Sequence, residues 1–213
     1  MAARGSYAKG IAKRDQILTT ALDVIARQGY RKASIRELAA AVDLSQTGLL
    51  HYFGTKEDLF IEVLRKRDQL DVEAYGVSDH GPATGTGSGT GTDTGADIIG
   101  ALLRVVRHNA DVPGLVRLYT QFSAEATEPD HPAHEYFRER SATFRFTVAA
   151  AIRQQQRAGK LASSLDPDRI AMLLIAAIDG LQTQWMLDDS VDMAAHVAQL
   201  WDYLTRASHA AEA

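Results

Sequence analysis

The stretch Val42 to Leu59, VDLSQTGLLHYFGTKEDL, holds two helix-start residues, Ser45 and Thr55, with Gly54 between them. They bracket a helix of barely two turns whose leading end is Gln46, Thr47 and Gly48. Those residue types suit the reading of base-pair edges. A glutamine amide can pair bidentately with adenine, threonine and leucine can pack on thymine methyls, and glycine admits close backbone approach. Gln46, Thr47, Gly48, Leu50 and His51 are therefore the candidate base-reading set, with Ser45 capping the same end. Ser34, Tyr52 and Lys56 sit at helix ends and flanks where phosphate oxygens would lie, and Arg36 is placed to assist.

Positioning such a set requires a brace, and the flanking sequence supplies one. Residues 13–28, KRDQILTTALDVIARQ, put Ile17, Leu18, Ala21, Leu22, Val24 and Ile25 on one helical stripe, closed by Gly29. Ser34-Ile35-Arg36-Glu37 forms a capping box opening a short helix through Ala41, and a tight turn at Val42-Asp43-Leu44 follows. Ser45 caps the next helix to about Tyr52. Thr55 with Asp58 opens a long fourth helix to roughly Ala74. Leu38, Ala39, Val42, Leu44, Leu49 and Phe53 form the inner face. This helix-turn-helix arrangement presents its second helix to a DNA major groove, N-terminus first. Lys9, Lys13 and Arg14 form a basic start that suits either a solvated tail or, the slightly favoured reading, an arm approaching the DNA backbone.

Gly76 to Asp97, GVSDHGPATGTGSGTGTDTGAD, is Gly/Thr-rich and almost without apolar side chains, the composition of a flexible loop or linker. No Gly-Lys-Ser/Thr ending makes it a phosphate cradle. Beyond it, Ile98–Asn109, Pro113–Thr127, Pro132–Ala158, Pro167–Leu187 and Met193–Ala207 all have helical period, and Pro113, Pro132 and Pro167 stand at or near helix starts. The chain is expected to be all-α, with a DNA-binding domain over 1–54 and a helical domain over 55–213 that carries the loop at 75–97.

The 213 residues include no cysteine, which excludes disulfides, cysteine zinc sites and a thiol nucleophile and agrees with a reducing compartment. The formal net charge of −4 conceals a split. Residues 1–67 hold 12 Lys+Arg against 7 Asp+Glu, net +5, whereas residues 68–213 hold 11 against 20, net −9. The N-terminus lacks the apolar run of a signal peptide, and the longest apolar run, Ala171 to Ile178, is interrupted by Asp179, so no membrane partner and a cytoplasmic location are expected. No cofactor motif is legible. His131, His134 and Glu135 in EPDHPAHEYF are better read as a surface cap than as a metal site, because a fitting ligand triad is missing.

Asp179 and Gln182 interrupt a helix too apolar to be exposed all round. A hydrogen bond to a neighbouring helix accounts for such groups, and they also suit the polar point of an effector pocket. Val106, Tyr119, Phe122, Phe144, Val148, Ile175 and Trp185 are candidate walls by size and helical phase. An enzyme on this scaffold would need a nucleophile or metal triad that is not present, so catalysis is the lesser reading, as is a non-specific architectural DNA-binding protein.

SIRELAAAVDLSQTGLLHYFGTKEDLF resembles the DNA-binding region of the TetR, tetracycline-repressor-like, transcriptional regulators, over about residues 13–65. Asp43 stands where that family usually has glycine, and Leu50 replaces a common tyrosine, removing a hydroxyl from the reading face. The resemblance implies a one-component regulator, a repressor released from a palindromic operator by a small, partly apolar effector. It also implies a homodimer through the last two long helices. Ile170, Leu174, Ile178, Leu181 and Trp185 on one, and Val197, Trp201 and Leu204 on the other, are the expected stripes. Two-fold symmetry then spaces the half-sites by one turn, about 34–36 Å, or a multiple.

Overall fold

A computed structural model describes residues 2–29, 32–76 and 97–209, and every regular element among them is an α-helix. In chain order these are α1 (Ala2–Gln28), α2 (Ile35–Ala41), α3 (Gln46–Phe53), α4 (Lys56–Tyr75), α5 (Ile98–Asp111), α6 (Pro113–Glu125), α7 (His134–Arg157), α8 (Pro167–Leu187) and α9 (Met193–His209). Most of the Gly/Thr-rich stretch expected to be flexible lies outside the described residues. The largest difference from the sequence reading is α1, which starts eleven residues before Lys13.

Helix ends follow local chemistry. The Ser34 hydroxyl accepts from the Glu37 amide at 3.2 Å while Glu37 Oε2 accepts from the Ser34 amide at 3.0 Å, completing the capping box. Asp166 Oδ1 accepts from the amides of Asp168 and Arg169, both at 3.1 Å, and Pro167 occupies the first turn of α8. At α7 the helix begins at His134 instead of Pro132, because the Ala133 amide donates to His131 Nδ1 at 3.1 Å and holds the preceding residues in a turn.

Packing divides the chain into two compact units: Met1–Leu70 with Val112–Tyr136, and Asp71–Asp111 with Phe137–Ala213. This division differs from the expected boundary at residues 54 and 55, since the first unit includes most of α4 and all of α6. In it α1 packs on α2 and α6, and α2 on α3. Ile17, Leu18, Ala21, Leu22 and Ile25 are buried, as are Leu38, Ala39, Val42, Leu49 and Phe53. α6 approaches α1 closely at Gly114, where a Cβ would lie 1.9 Å from the Ile25 carbonyl oxygen.

In the second unit α9 packs on α5 and α8. Its core joins Ile98, Leu102, Val148, Ile152, Leu174 and Val197. α8 is long and apolar enough to meet the length and composition of a membrane span, and 33% of its apolar window is buried; a single such helix is weak evidence of a span. The stripes expected to pair two subunits face this core. Ile170, Leu174 and Val197 are buried, and Ile178, Leu181, Trp201 and Leu204 pack against the same cluster. Exposed apolar side chains of this unit include Met172, Leu173 and Leu187 on α8, Tyr203 on α9 and Phe146 on α7.

Candidate nucleic-acid interface

Helix α3 is held at its start by Ser45, whose hydroxyl accepts from the Gly48 amide at 3.0 Å. At its end Gly54, φ 87°, donates to the Leu50 carbonyl at 2.7 Å and turns the chain. Thr55 and Asp58 then open α4 reciprocally, with the Thr55 amide donating to Asp58 Oδ2 at 3.1 Å and the Asp58 amide to the Thr55 hydroxyl at 3.0 Å. Leu49 and Phe53 anchor the inner side of α3 in the core. Consequently Gln46, Thr47 and His51 are exposed, Gly48, Leu50 and Tyr52 are half-buried, and the outward side forms one polar strip.

The turn between α2 and α3 is a Schellman motif. The Asp43 amide donates to the Ala40 carbonyl at 3.3 Å and the Leu44 amide to the Ala39 carbonyl at 2.9 Å. Asp43 takes the left-handed position, φ 55°, the conformation that usually calls for glycine.

Of the flanking candidates, Arg36 and Lys56 are exposed and Ser34 is half-buried in its capping box. Lys56 Nζ lies 5.2 Å from the Phe60 ring centre. An open trough of ≈ 700 Å³ runs beside the end of α3, lined by Gly10, Ile11, Arg14, Asp15, Leu18, His51 and Tyr52. Lys9 is exposed on α1. Lys13 and Arg14 do not form the expected arm. Lys13 Nζ donates to the Val42 carbonyl at 2.9 Å, and Arg14 Nη1 pairs with Glu62 Oε2 at 3.0 Å with its guanidinium 4.8 Å from the Phe53 ring centre. Their periodicity showed only that they lie on α1; partners 29 and 48 residues away leave no local signal.

The effector candidates divide between the units. Tyr119 and Phe122 belong to the first, where Phe122 meets the Phe60 ring edge-on at 5.9 Å and Arg67 lies over Tyr119 at 5.0 Å. Val106, Phe144, Val148, Ile175, Asp179, Gln182 and Trp185 belong to the second. Val106 clusters there with Met193, Ala194 and Trp185, and Val148 and Ile175 are buried. Gln182 is also buried, with no hydrogen-bond partner for its Oε1.

Among the described residues no group of three or more metal-ligating side chains converges. His134 Nδ1 lies 2.8 Å from the Ala126 carbonyl, and His131 Nδ1 accepts from the Ala133 amide. Both therefore act within the α6–α7 connection.

Comparison with known proteins agrees with this geometry. Residues 17–63 match the family described as bacterial regulatory proteins, tetR family, and residues 99–209 match the BetI-type transcriptional repressor C-terminal family. The regulator RutR of Escherichia coli (strain K12) is 40% identical over 55 residues, so the match spans 26% of each chain. A structure of a transcriptional regulator from Saccharomonospora viridis, in complex with choline, is 28% identical over 89% of this chain and 94% of that one, with a TM-score of 0.61. A TetR regulator from Haloarcula marismortui, 17% identical, shares the fold over 92% of this chain and 98% of its own, with a TM-score of 0.70. Since the second family match alone spans more than half of the chain and the first covers the helix-turn-helix, the chain belongs to the TetR family of bacterial transcriptional regulators.

Proposed function

We propose that the protein is a repressor that binds a near-palindromic operator as a homodimer and leaves it when a small-molecule effector binds the second unit. The observation that carries the DNA-binding part is the polarity of α3: Leu49 and Phe53 anchor one side while Gln46, Thr47 and His51 stand exposed on the other. Gln46, Thr47 and His51 face base edges, Leu50 and Gly48 make the close apolar approach, and Tyr52 flanks them toward the duplex backbone. Ser34, Arg36, Ser45 and Lys56 supply phosphate contacts, and the excess of positive charge over residues 1–67 draws the duplex in.

The dimer uses the outward side of α8 and α9. Met172, Leu173, Ala176 and Gly180 leave a stripe of exposed apolar and small residues on α8, and Tyr203 is the exposed aromatic of α9. A second copy of the same surface buries it isologously.

For the effector, Val106, Phe144, Val148, Ile175 and Trp185 supply apolar surface, and Asp179 with Gln182 supplies polarity. The choline complex of the Saccharomonospora viridis regulator supports a small-molecule ligand. Effector binding shifts α4, whose first turn adjoins the end of α3, and spoils the spacing of the two reading helices. The coupling needed is about 1–3 kcal/mol.

The test is fluorescence anisotropy on duplexes tiling the DNA around the protein's own gene, with random competitor at several salt concentrations. Competitor-resistant binding to one near-palindromic duplex is expected. Weak, steeply salt-dependent binding to every duplex would favour a non-specific architectural protein instead.

A further inference from the structure

We infer that Lys13 and Arg14 are positioning residues for operator recognition, clamping the two ends of α3 from α1 without themselves touching DNA. This rests on the DNA-reading role of α3 proposed above.

The need for a clamp follows from the ends of α3. At its start, the Schellman turn satisfies the carbonyls of Ala39 and Ala40. It does so with Asp43 in a left-handed conformation that costs an L-residue more than it costs glycine. The next acceptor along that turn, the carbonyl of the buried Val42, is taken by the Lys13 ammonium at 2.9 Å, and Gln16 Oε1 holds the same ammonium at 3.3 Å. A cation at the C-terminal end of α2 also suits the negative end of the helix dipole. The turn that sets the entry angle of α3 is thus pinned to α1 by a charge-assisted hydrogen bond.

The other end is held by the adjacent residue. The Arg14 guanidinium lies 4.8 Å from the ring centre of Phe53, the last residue of α3, and pairs with Glu62 of α4 at 3.0 Å. Because Lys13 and Arg14 are consecutive on one helix, they project about 100° apart, enough for one to reach the turn before α3 and the other its end. Two of the basic residues of the N-terminal segment are accounted for in this way. Both cations are engaged by partners within the first unit, Arg14 with its side chain 41% exposed, and through those partners they act on the orientation of Gln46 and Thr47.

The test uses the full-length protein and the substitutions Lys13→Met and Lys13→Arg. Amide hydrogen exchange without DNA is measured first. Lys13→Met is expected to accelerate exchange at Asp43 and Leu44 while leaving the core amides of α4 unchanged, and Lys13→Arg to restore protection. On the operator duplex, Lys13→Met is expected to weaken binding about tenfold, the loss of one hydrogen bond from a charged donor, with an unchanged slope of log affinity against log salt. Lys13→Arg should recover the affinity. A slope lower by about 0.9 for Lys13→Met would mark a direct phosphate contact and overturn the inference, as would unaltered exchange at Asp43 and Leu44. If the wild-type protein binds no specific duplex, the reading of α3 fails, while the exchange data still decide whether the clamp exists. Arg14→Met provides the second check, with faster exchange expected at the Phe53 and Gly54 amides; unchanged exchange there would remove the second half of the clamp.

Discussion

The Arg67 guanidinium of α4 lies 5.0 Å from the ring centre of Tyr119 on α6, 52 residues further along the chain. Arg67 is 8% exposed and pairs with Asp68 at 3.0 Å, and Asp68 Oδ2 accepts from the Tyr136 hydroxyl at 2.7 Å. Cation–π contact and charge-assisted bonds are strengthened by exclusion of water. Arg67→Ala should therefore cost about 2–4 kcal/mol, since it leaves Asp68 half-served and opens a cavity. Arg67→Lys should recover only part, because an ammonium cannot stack as a planar group does. Urea denaturation of the three proteins checks the order.

Gly114 sets a second tie between α6 and the reading head. Its absent side chain lets α6 meet α1, and a Cβ there would lie 1.9 Å from the Ile25 carbonyl oxygen and 3.0 Å from Gly29 Cα. Backbone cannot step aside as a flexible side chain can. Gly114→Ala should destabilise the first unit by about 1–3 kcal/mol or more, the usual cost of overpacking. Thermal unfolding followed by circular dichroism measures it.

The two sides of α8 should respond differently to substitution. Leu174 is buried in the core of its own unit, and Leu173 is 48% exposed. Leu174→Ala should lower the unfolding free energy by about 2–5 kcal/mol. Leu173→Glu should leave the fold intact and convert the proposed dimer to monomer in analytical ultracentrifugation. A dimer that survives Leu173→Glu at low micromolar concentration would assign the interface elsewhere.

Gln46 and Lys56 separate specificity from affinity. Gln46→Ala should weaken binding by about 1–3 kcal/mol and relax the preference at one base position. Lys56→Ala should weaken binding to every sequence and reduce the salt slope by about 0.9. Anisotropy titrations on operator variants at several salt concentrations distinguish the two patterns, and identical behaviour would remove the assigned roles.

Acid should loosen the start of α2 through Glu37. Hydrogen bonds from the Ser34 amide and then from the Ser34 hydroxyl hold its carboxyl below the ordinary value of 4.5. A pKa depressed by folding contributes stability that is present above the unfolded value and lost as pH falls through the folded one. The stability difference between wild type and Glu37→Gln should therefore be constant near neutrality and shrink below about pH 4.5, the unperturbed glutamate value. Chemical denaturation across that range follows it.

Much of the fold was legible because its signals are local. The Ser34–Glu37 box, the Ser45 cap, the Thr55–Asp58 pair and the limits of α8 involve groups within four residues of one another, which a linear reading captures directly. The polarity of α3 was equally local, since eight residues with anchors at Leu49 and Phe53 leave only one arrangement for Gln46 and Thr47. Tertiary structure decided what composition could not. Lys13 and Arg14 looked like an arm until Val42, Glu62 and Phe53 were brought to them. Tyr119 and Phe122 carried the phase of a pocket wall, and only packing brought them against Arg67 and Phe60 of the first unit. On α8 the stripe of Ile170 and Leu174 was expected to meet a second subunit, and only packing against α9 and the rest of its unit turned these residues inward and left Met172 and Leu173 outside. A helix declares its ends through hydrogen bonds to near neighbours, whereas the direction it faces is settled by which distant surfaces can be removed from water together.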